Sequence, residues 1–204
     1  MKVTTILGSP RKKGNTATVL GWFEKEAKGQ GHNIDKINLV EADIKGCLGC
    51  HSCEKVTDYP GCVQKDDAIA IFDRMIKADA VVYASPLFCW GFASQIKALI
   101  DRHFCLVKNY STPEHKSFLE GKSTALLVTC TGPVKNNADI IQVLFERLNR
   151  FVKSNVIGKY VVPFCSTPDA MGREAEEIVK RMTKDILSDR HEFSNQGWPV
   201  YNLK

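Results

Sequence analysis

Four of the chain's eight cysteines stand within sixteen positions, in CLGCHSCEKVTDYPGC: Cys47, Cys50, Cys53 and Cys62. Two-residue gaps let one short loop wrap three corners of an iron–sulfur cubane, whose irons each need a thiolate, and a fourth ligand can come from further along. The turn formers Pro60 and Gly61 would bring Cys62 back to that site. The same four thiolates can hold zinc tetrahedrally, although zinc sites more often pair two C-x2-C knuckles. Metal-free thiols are a third reading. A disulfide staple is the weakest, because in a reducing compartment closely spaced cysteines serve as metal or redox ligands. His51 lies inside the loop, but with four cysteines at hand it reads as a solvated side chain. Cys89, Cys105, Cys130 and Cys165 read as small buried hydrophobes. A redox role for Cys89 would need an activating neighbour, and the sequence shows none.

Two further stretches carry binding chemistry. GSPRKKGNT supplies small residues that let backbone approach a ligand, with Ser9, Arg11, Asn15 and Thr16 as polar partners just before a helical pattern. With the free amides of a helix start, these residues suit a phosphate group. The stretch is neither G-x-G-x-x-G nor G-x4-G-K-[ST], so dinucleotide and Walker-type sites lose ground. Its plain alternative is a capped turn. SPLFCWGFAS offers Pro86, Leu87, Phe88, Trp90 and Gly91 as walls for a flat ring, and Thr131 and Gly132 stand in a third loop. Core packing is the competing reading for Phe88 and Phe92, less so for Trp90, since consecutive loop aromatics cannot all face one core.

These loops need a frame to hold them together. The chain has 204 residues, 44% apolar and 25% charged, enough for one globular domain to bury a core without a metal or disulfide. KVTTILG, HNIDKINLV, ADAVVYASP, KSTALLVTC and NVIGKYVVPFC read as strands. Between and after them, TATVLGWFEKEAKG, KDDAIAIFDRMIKA, SQIKALIDRHF, ADIIQVLFERLNRFV and PDAMGREAEEIVKRMTKDILSDR read as helices. Alternation of this kind predicts a doubly wound, three-layer α/β/α domain over 1–204 with a five-stranded parallel sheet in the order 2-1-3-4-5. In that order ligands bind where strands 1 and 3 diverge, which is where the phosphate and ring loops emerge. Strand 2 lies beside strand 1, so the 47–62 loop shares the same edge. The polar connection 107–120 reads as loop, and the tail 192–204, with Trp198 and Tyr201, has no periodicity.

The net charge of +5 is spread along the chain rather than gathered in a block. With no basic helix, zinc-finger histidine spacing or RNP-type aromatic motif, a nucleic-acid partner is not expected. No signal-peptide pattern or long apolar run appears, so the expectation is a cytoplasmic protein without a membrane partner.

Taken jointly, GSPRKKGNT, SPLFCWGFASQIKALIDR and the element order resemble the flavodoxin-like NADPH-dependent FMN reductases over about residues 1–165. The resemblance implies FMN, its phosphate held by Ser9, Arg11, Asn15 and Thr16, and its ring by Pro86, Leu87, Phe88, Trp90, Gly91, Thr131 and Gly132. It also implies a homodimer or homotetramer. Within the superfamily the cysteine stretch looks like the iron–sulfur flavoprotein branch, which implies a [4Fe–4S] cluster on Cys47, Cys50, Cys53 and Cys62. The eight residues between Cys53 and Cys62 form a slightly longer gap than that branch implies.

The function expected is electron transfer from a one-electron carrier such as ferredoxin, the donor the family implies, through the cluster to FMN and on to an acceptor such as oxygen, peroxide or a quinone. No catalytic acid, base or nucleophile is assigned. One alternative is an NAD(P)H-dependent FMN or quinone reductase with a metal-free cysteine loop. Another is a redox-sensing flavin- or metal-binding protein.

Overall fold

The computed structural model describes residues 1–188; the segment 192–204 with Trp198 and Tyr201, and the end of the last expected helix, lie outside the described residues. In chain order the strands are β1 (Lys2–Leu7), β2 (Asn33–Asn38), β3 (Ala80–Phe88), β4 (Gly91–Phe92), β5 (Val107–Lys108), β6 (Lys116–Ser117), β7 (Ser123–Thr129) and β8 (Asn155–Val162). The helices are α1 (Asn15–Gly29), α2 (Ala68–Ile76), α3 (Ser94–Asp101), α4 (Asp139–Phe151) and α5 (Arg173–Leu187).

Five strands pair in parallel in the order β2-β1-β3-β7-β8, the predicted 2-1-3-4-5 path of a flavodoxin-like sheet. The period-two alternation of side chains sorts each strand onto two cores. On one face Ile6, Val81, Tyr83, Leu126 and Val128 pack with Phe72, Ile96 and Phe145 of α2, α3 and α4. On the other, Val3, Leu7, Val82, Ala84 and Leu127 meet Leu20 and Phe23 of α1 and Ile178 and Met182 of α5. Full burial of each such side chain contributes about 1.5–3 kcal/mol, so the sheet is held from both sides. No helix among the described residues is long and apolar enough to cross a membrane.

The local differences from the sequence reading have physical causes. β3 runs on to Phe88 and turns back as β4, pairing Leu87 with Phe92 and Phe88 with Gly91, so the expected ring loop is a hairpin. The 107–120 connection holds a small β5–β6 hairpin rather than plain loop. α4 begins at Asp139, within one residue of the expected start, since Lys135 and Asn136 before it take non-helical backbone angles. α5 begins at Arg173, after Gly172, with only a short 3-10 turn at Pro168–Ala170 where helix was expected.

Candidate functional site

The cysteine loop leaves β2 at the same sheet edge as the GSPRKKGNT loop leaves β1, and an ion pair between Lys12 and Glu41 joins the two exits. Gly49 and His51 take left-handed backbone angles, with φ of 61° and 56°, which tightens the turn between the first three cysteines. Gly49 N–H donates to Cys47 Sγ at 3.5 Å. Further on, Pro60 and Gly61 are buried, and Val56 packs so closely on Gly61 that a β-carbon there would collide with it. Cys62 is thereby turned back, its N–H bonded to Pro60 O at 3.1 Å.

Cys47, Cys50, Cys53 and Cys62 all line one cavity of about 250 Å³. Leu48, Val63 and Phe104 form apolar parts of its wall, and a fifth thiol, Cys105, reaches the same space from the turn after α3. Among the described residues, no three histidine, cysteine or acidic side chains converge as a ready metal set. The environments of the thiols differ. Hydrogen bonds from Ser52 hold the Cys50 pKa below its ordinary value, whereas burial raises that of Cys53 and pushes Cys105 up to about 12.

Two buried cations back the loop. Arg102, in the turn after α3, also lines the cavity and pairs with Asp66 through Nη1 and Nη2 at 2.6 and 3.1 Å. Lys108 donates to the Cys53 carbonyl at 3.0 Å. Asp66 in turn accepts the N–H of Lys45 at 3.0 Å and of Ala68 at 3.2 Å, so the Arg102–Asp66 pair clasps both ends of the cysteine loop. Desolvation opposes the Arg102 charge, but the Asp66 bond and neighbouring Cys62 outweigh it and raise its pKa.

The first loop is built around Gly8. Its N–H donates to Ala84 O at 2.7 Å, and a β-carbon at this position would lie 2.5 Å from Ile96 Cβ. Only glycine lets the exits of β1 and β3 approach α3 this closely. Ser9 Oγ accepts the Arg11 N–H at 3.1 Å and closes the turn. α1 has Gly14 at its N-cap, no side-chain cap and no acidic residue in its first turn, so its leading N–H groups stay available to an anion. Asn15 Nδ2 donates to Ser166 O at 3.3 Å while its buried Oδ1 has no partner. The Thr16 hydroxyl turns inward to Thr129 Oγ1 at 2.6 Å. Arg11 is exposed beside this cradle.

In the hairpin, Cys89 and Trp90 are the two turn residues, both at positive φ (45° and 61°). That geometry suits glycine and asparagine, and Trp90, 59% exposed, and Phe88 are left open to solvent. Pro86 is buried and Leu87 half-buried beneath them. Thr131 is exposed at the end of β7, and Gly132 sits against Asn137, whose Nδ2 would lie 2.9 Å from a β-carbon there. The phosphate-loop and hairpin residues therefore gather at the carboxyl edge of β1 and β3, with Thr131 and Gly132 beyond β7. Sequence reasoning missed Arg102, Asp66, Lys108, Thr129 and Ser166. Only Asp66 carries a signal, as one of the two aspartates opening the KDDA helix start.

A flavodoxin-like sheet with an anion cradle and aromatic hairpin at its switch point defines a flavin-dependent oxidoreductase. Comparison with known proteins agrees. The family model "NADPH-dependent FMN reductase" matches residues 1–169. An "Iron-sulfur flavoprotein" of Archaeoglobus fulgidus is 33% identical over 176 residues, 85% of this chain and 73% of that protein. An "Iron-sulfur flavoprotein" of Methanosarcina thermophila is 34% identical over 106 residues, where the match spans 52% of this chain and 54% of the relative. In fold, the chain is similar to "NAD(P)H:quinone oxidoreductase from Methanothermobacter marburgensis", with a TM-score of 0.69 at 15% identity over 95% of this chain and 99% of that one. The chain belongs to the NADPH-dependent FMN reductase family, in its iron–sulfur flavoprotein branch. It is a flavin redox protein whose cofactor is FMN.

Proposed function

We propose that the protein carries electrons between a one-electron donor of the ferredoxin type and a two-electron acceptor, using FMN and a [4Fe–4S] cluster. The observation that carries this reading is that Cys47, Cys50, Cys53 and Cys62 line one cavity of about 250 Å³. That space is large for a single zinc ion and suited to a multi-atom centre. The fit extends to charge: Arg102 and Lys108 offset the thiolates such a centre requires. When bound, the cluster supplies one-electron chemistry and FMN the exchange between single electrons and pairs.

The chain's own residues bind and orient. The uncapped start of α1, with Ser9, Arg11, Asn15 and Thr16, would take the FMN phosphate. The unpartnered Asn15 Oδ1 marks a polar place that a ligand or water completes. Pro86, Leu87, Phe88, Trp90 and Gly91, with Thr131 and Gly132, would bound the ring. Cys47, Cys50, Cys53 and Cys62 would ligate the cluster. A homodimer or homotetramer is part of this reading, as the FMN reductase resemblance implies.

The test is iron, zinc and acid-labile sulfide per FMN in protein prepared without air. About four iron and four sulfide per FMN support the reading, as a four-thiolate cubane requires. FMN without metal moves the function to NAD(P)H-dependent reduction of a flavin or quinone, the reading favoured by the family match over 1–169. Unchanged ferredoxin-dependent flavin reduction after cluster removal would also sink the proposal.

A further inference from the structure

Arg102 is the most buried cation of the described chain that faces a cavity. Its side chain is 1% exposed and that of Asp66 0%. Two of its nitrogens are spent: Nη1 donates to Asp66 and to Lys45 O at 3.0 Å, and Nη2 to Asp66. Nε is buried without a hydrogen-bond partner of normal geometry, in a residue that lines the cysteine cavity next to Cys62. A buried guanidinium N–H left unpaired is costly and calls for an acceptor. Asp66, its counter-ion, is not among the cavity-lining residues, so the positive end of the pair is the one turned to the thiols.

We propose that Arg102 is a positioning and tuning residue for the cysteine-held centre: locked by Asp66, it presents its charge and its free Nε–H to the thiolate-ligated cluster and raises that cluster's reduction potential. The inference rests on the cluster reading above. Reduction adds an electron to an already anionic centre, so a fixed cation nearby stabilises the reduced state more than the oxidised one. Burial makes this effect stronger than a surface lysine would give, because solvent screens it little. Asp66 acts in the opposite sense, from further away, while keeping the guanidinium aimed and clasping the loop ends through Lys45 and Ala68.

The experiment is a potentiometric titration of the anaerobically prepared full chain, with the cluster followed by electron paramagnetic resonance and iron per FMN measured on each sample. Two variants are compared with the wild type. In the double variant Arg102→Gln with Asp66→Asn, the pair stays hydrogen-bonded but uncharged, which avoids stranding a buried carboxylate. Its potential should fall by about tenfold in the reduction equilibrium, near 59 mV for one electron. In Asp66→Asn alone the cation remains and its counter-charge is gone, so the potential should rise. Opposite shifts at full iron content are the expected result, and a purely structural clasp cannot produce them. Equal potentials in all three proteins, or shifts of one sign with lost iron, overturn the role of Arg102 and leave the cluster reading standing. A wild type that holds no iron overturns both.

Discussion

Thr16 and Thr129 meet hydroxyl to hydroxyl at 2.6 Å in a buried contact that ties the first turn of α1 to the end of β7. One residue was expected to touch a phosphate and the other was not singled out at all, yet the contact fixes the first loop against the end of β7. Thr16 braces the cradle from behind and leaves its backbone N–H facing forward. Thr129→Val keeps the shape and strands the Thr16 hydroxyl, at a cost of about 1–3 kcal/mol. We expect a lower urea midpoint and FMN binding weakened about tenfold, or about 1.4 kcal/mol. Fluorescence titration of apoprotein with FMN checks it; unaltered affinity in a destabilised protein would confine the contact to stability.

Gly8 tests the close approach of β1 and α3. A methyl group at this position would lie 2.5 Å from Ile96 Cβ and 3.2 Å from Ala84 O, so Gly8→Ala must push α3 or the loop aside. Overpacking of this kind costs about 1–3 kcal/mol. The companion Ile96→Gly removes the β-carbon that the new methyl meets, so the double variant should recover FMN affinity that the single one loses. No recovery would mean that the loop, not the helix contact, sets the cradle.

Much of this architecture was legible because sheet strands announce themselves. Val81, Val82, Tyr83 and Ala84 are all buried, and so is Leu126–Val128, as continuous apolar runs foretell for strands covered on both faces. Cys47, Cys50, Cys53 and Cys62 line one cavity, while among the described residues they do not converge as a ready metal set. What sequence hid are pairings across long separations. Asp66 and Arg102 look like ordinary helix-end charges until the fold brings them together over 36 positions. The β3–β4 hairpin was hidden because its turn is Cys89-Trp90, which carries no Asn-Gly signal.

His103 sets a pH dependence of stability. It is fully buried, its ring nitrogens engaged by Tyr83 OH and Leu99 O, both at 2.9 Å, with Phe72 edge-on to it. Burial, only partly offset by the Leu99 carbonyl and the charge of Asp101, lowers its pKa from 6.5 to about 4. The unfolded chain therefore binds the extra proton first. This contribution is fully present above pH 6.5 and is lost as pH falls toward 4, about 3 kcal/mol in all. Urea unfolding between pH 4 and 7 should show that slope, and His103→Gln should flatten it while lowering stability at pH 7. An equal slope in the variant would assign the acid sensitivity to other groups.

Gly61 is expected to matter through Cys62. Because Val56 occupies the space where a side chain would begin, Gly61→Ala must shift the segment that carries this cysteine. Iron per FMN in anaerobic protein should drop while FMN content stays, and Gly61→Ala with Val56→Gly, which removes the β-carbon in the way, should restore much of the iron. If Gly61→Ala retains all its iron, Cys62 does not need its present position to take part in the centre.

The hairpin offers a case where stability and binding should move in opposite directions. Cys89 and Trp90 hold φ of 45° and 61°, a left-handed pair that costs side-chain-bearing residues about 1–2 kcal/mol each. Asparagine followed by glycine is the favoured filling of such a two-residue turn. The double variant Cys89→Asn with Trp90→Gly should therefore raise the urea midpoint by an amount worth about 1–2 kcal/mol. It also removes the exposed indole of the turn, and with it one wall of the proposed ring site. FMN affinity should fall by at least several-fold, and Cys89→Asn alone should retain it. A more stable protein with undiminished FMN affinity would show that the strain in this turn serves something other than the flavin.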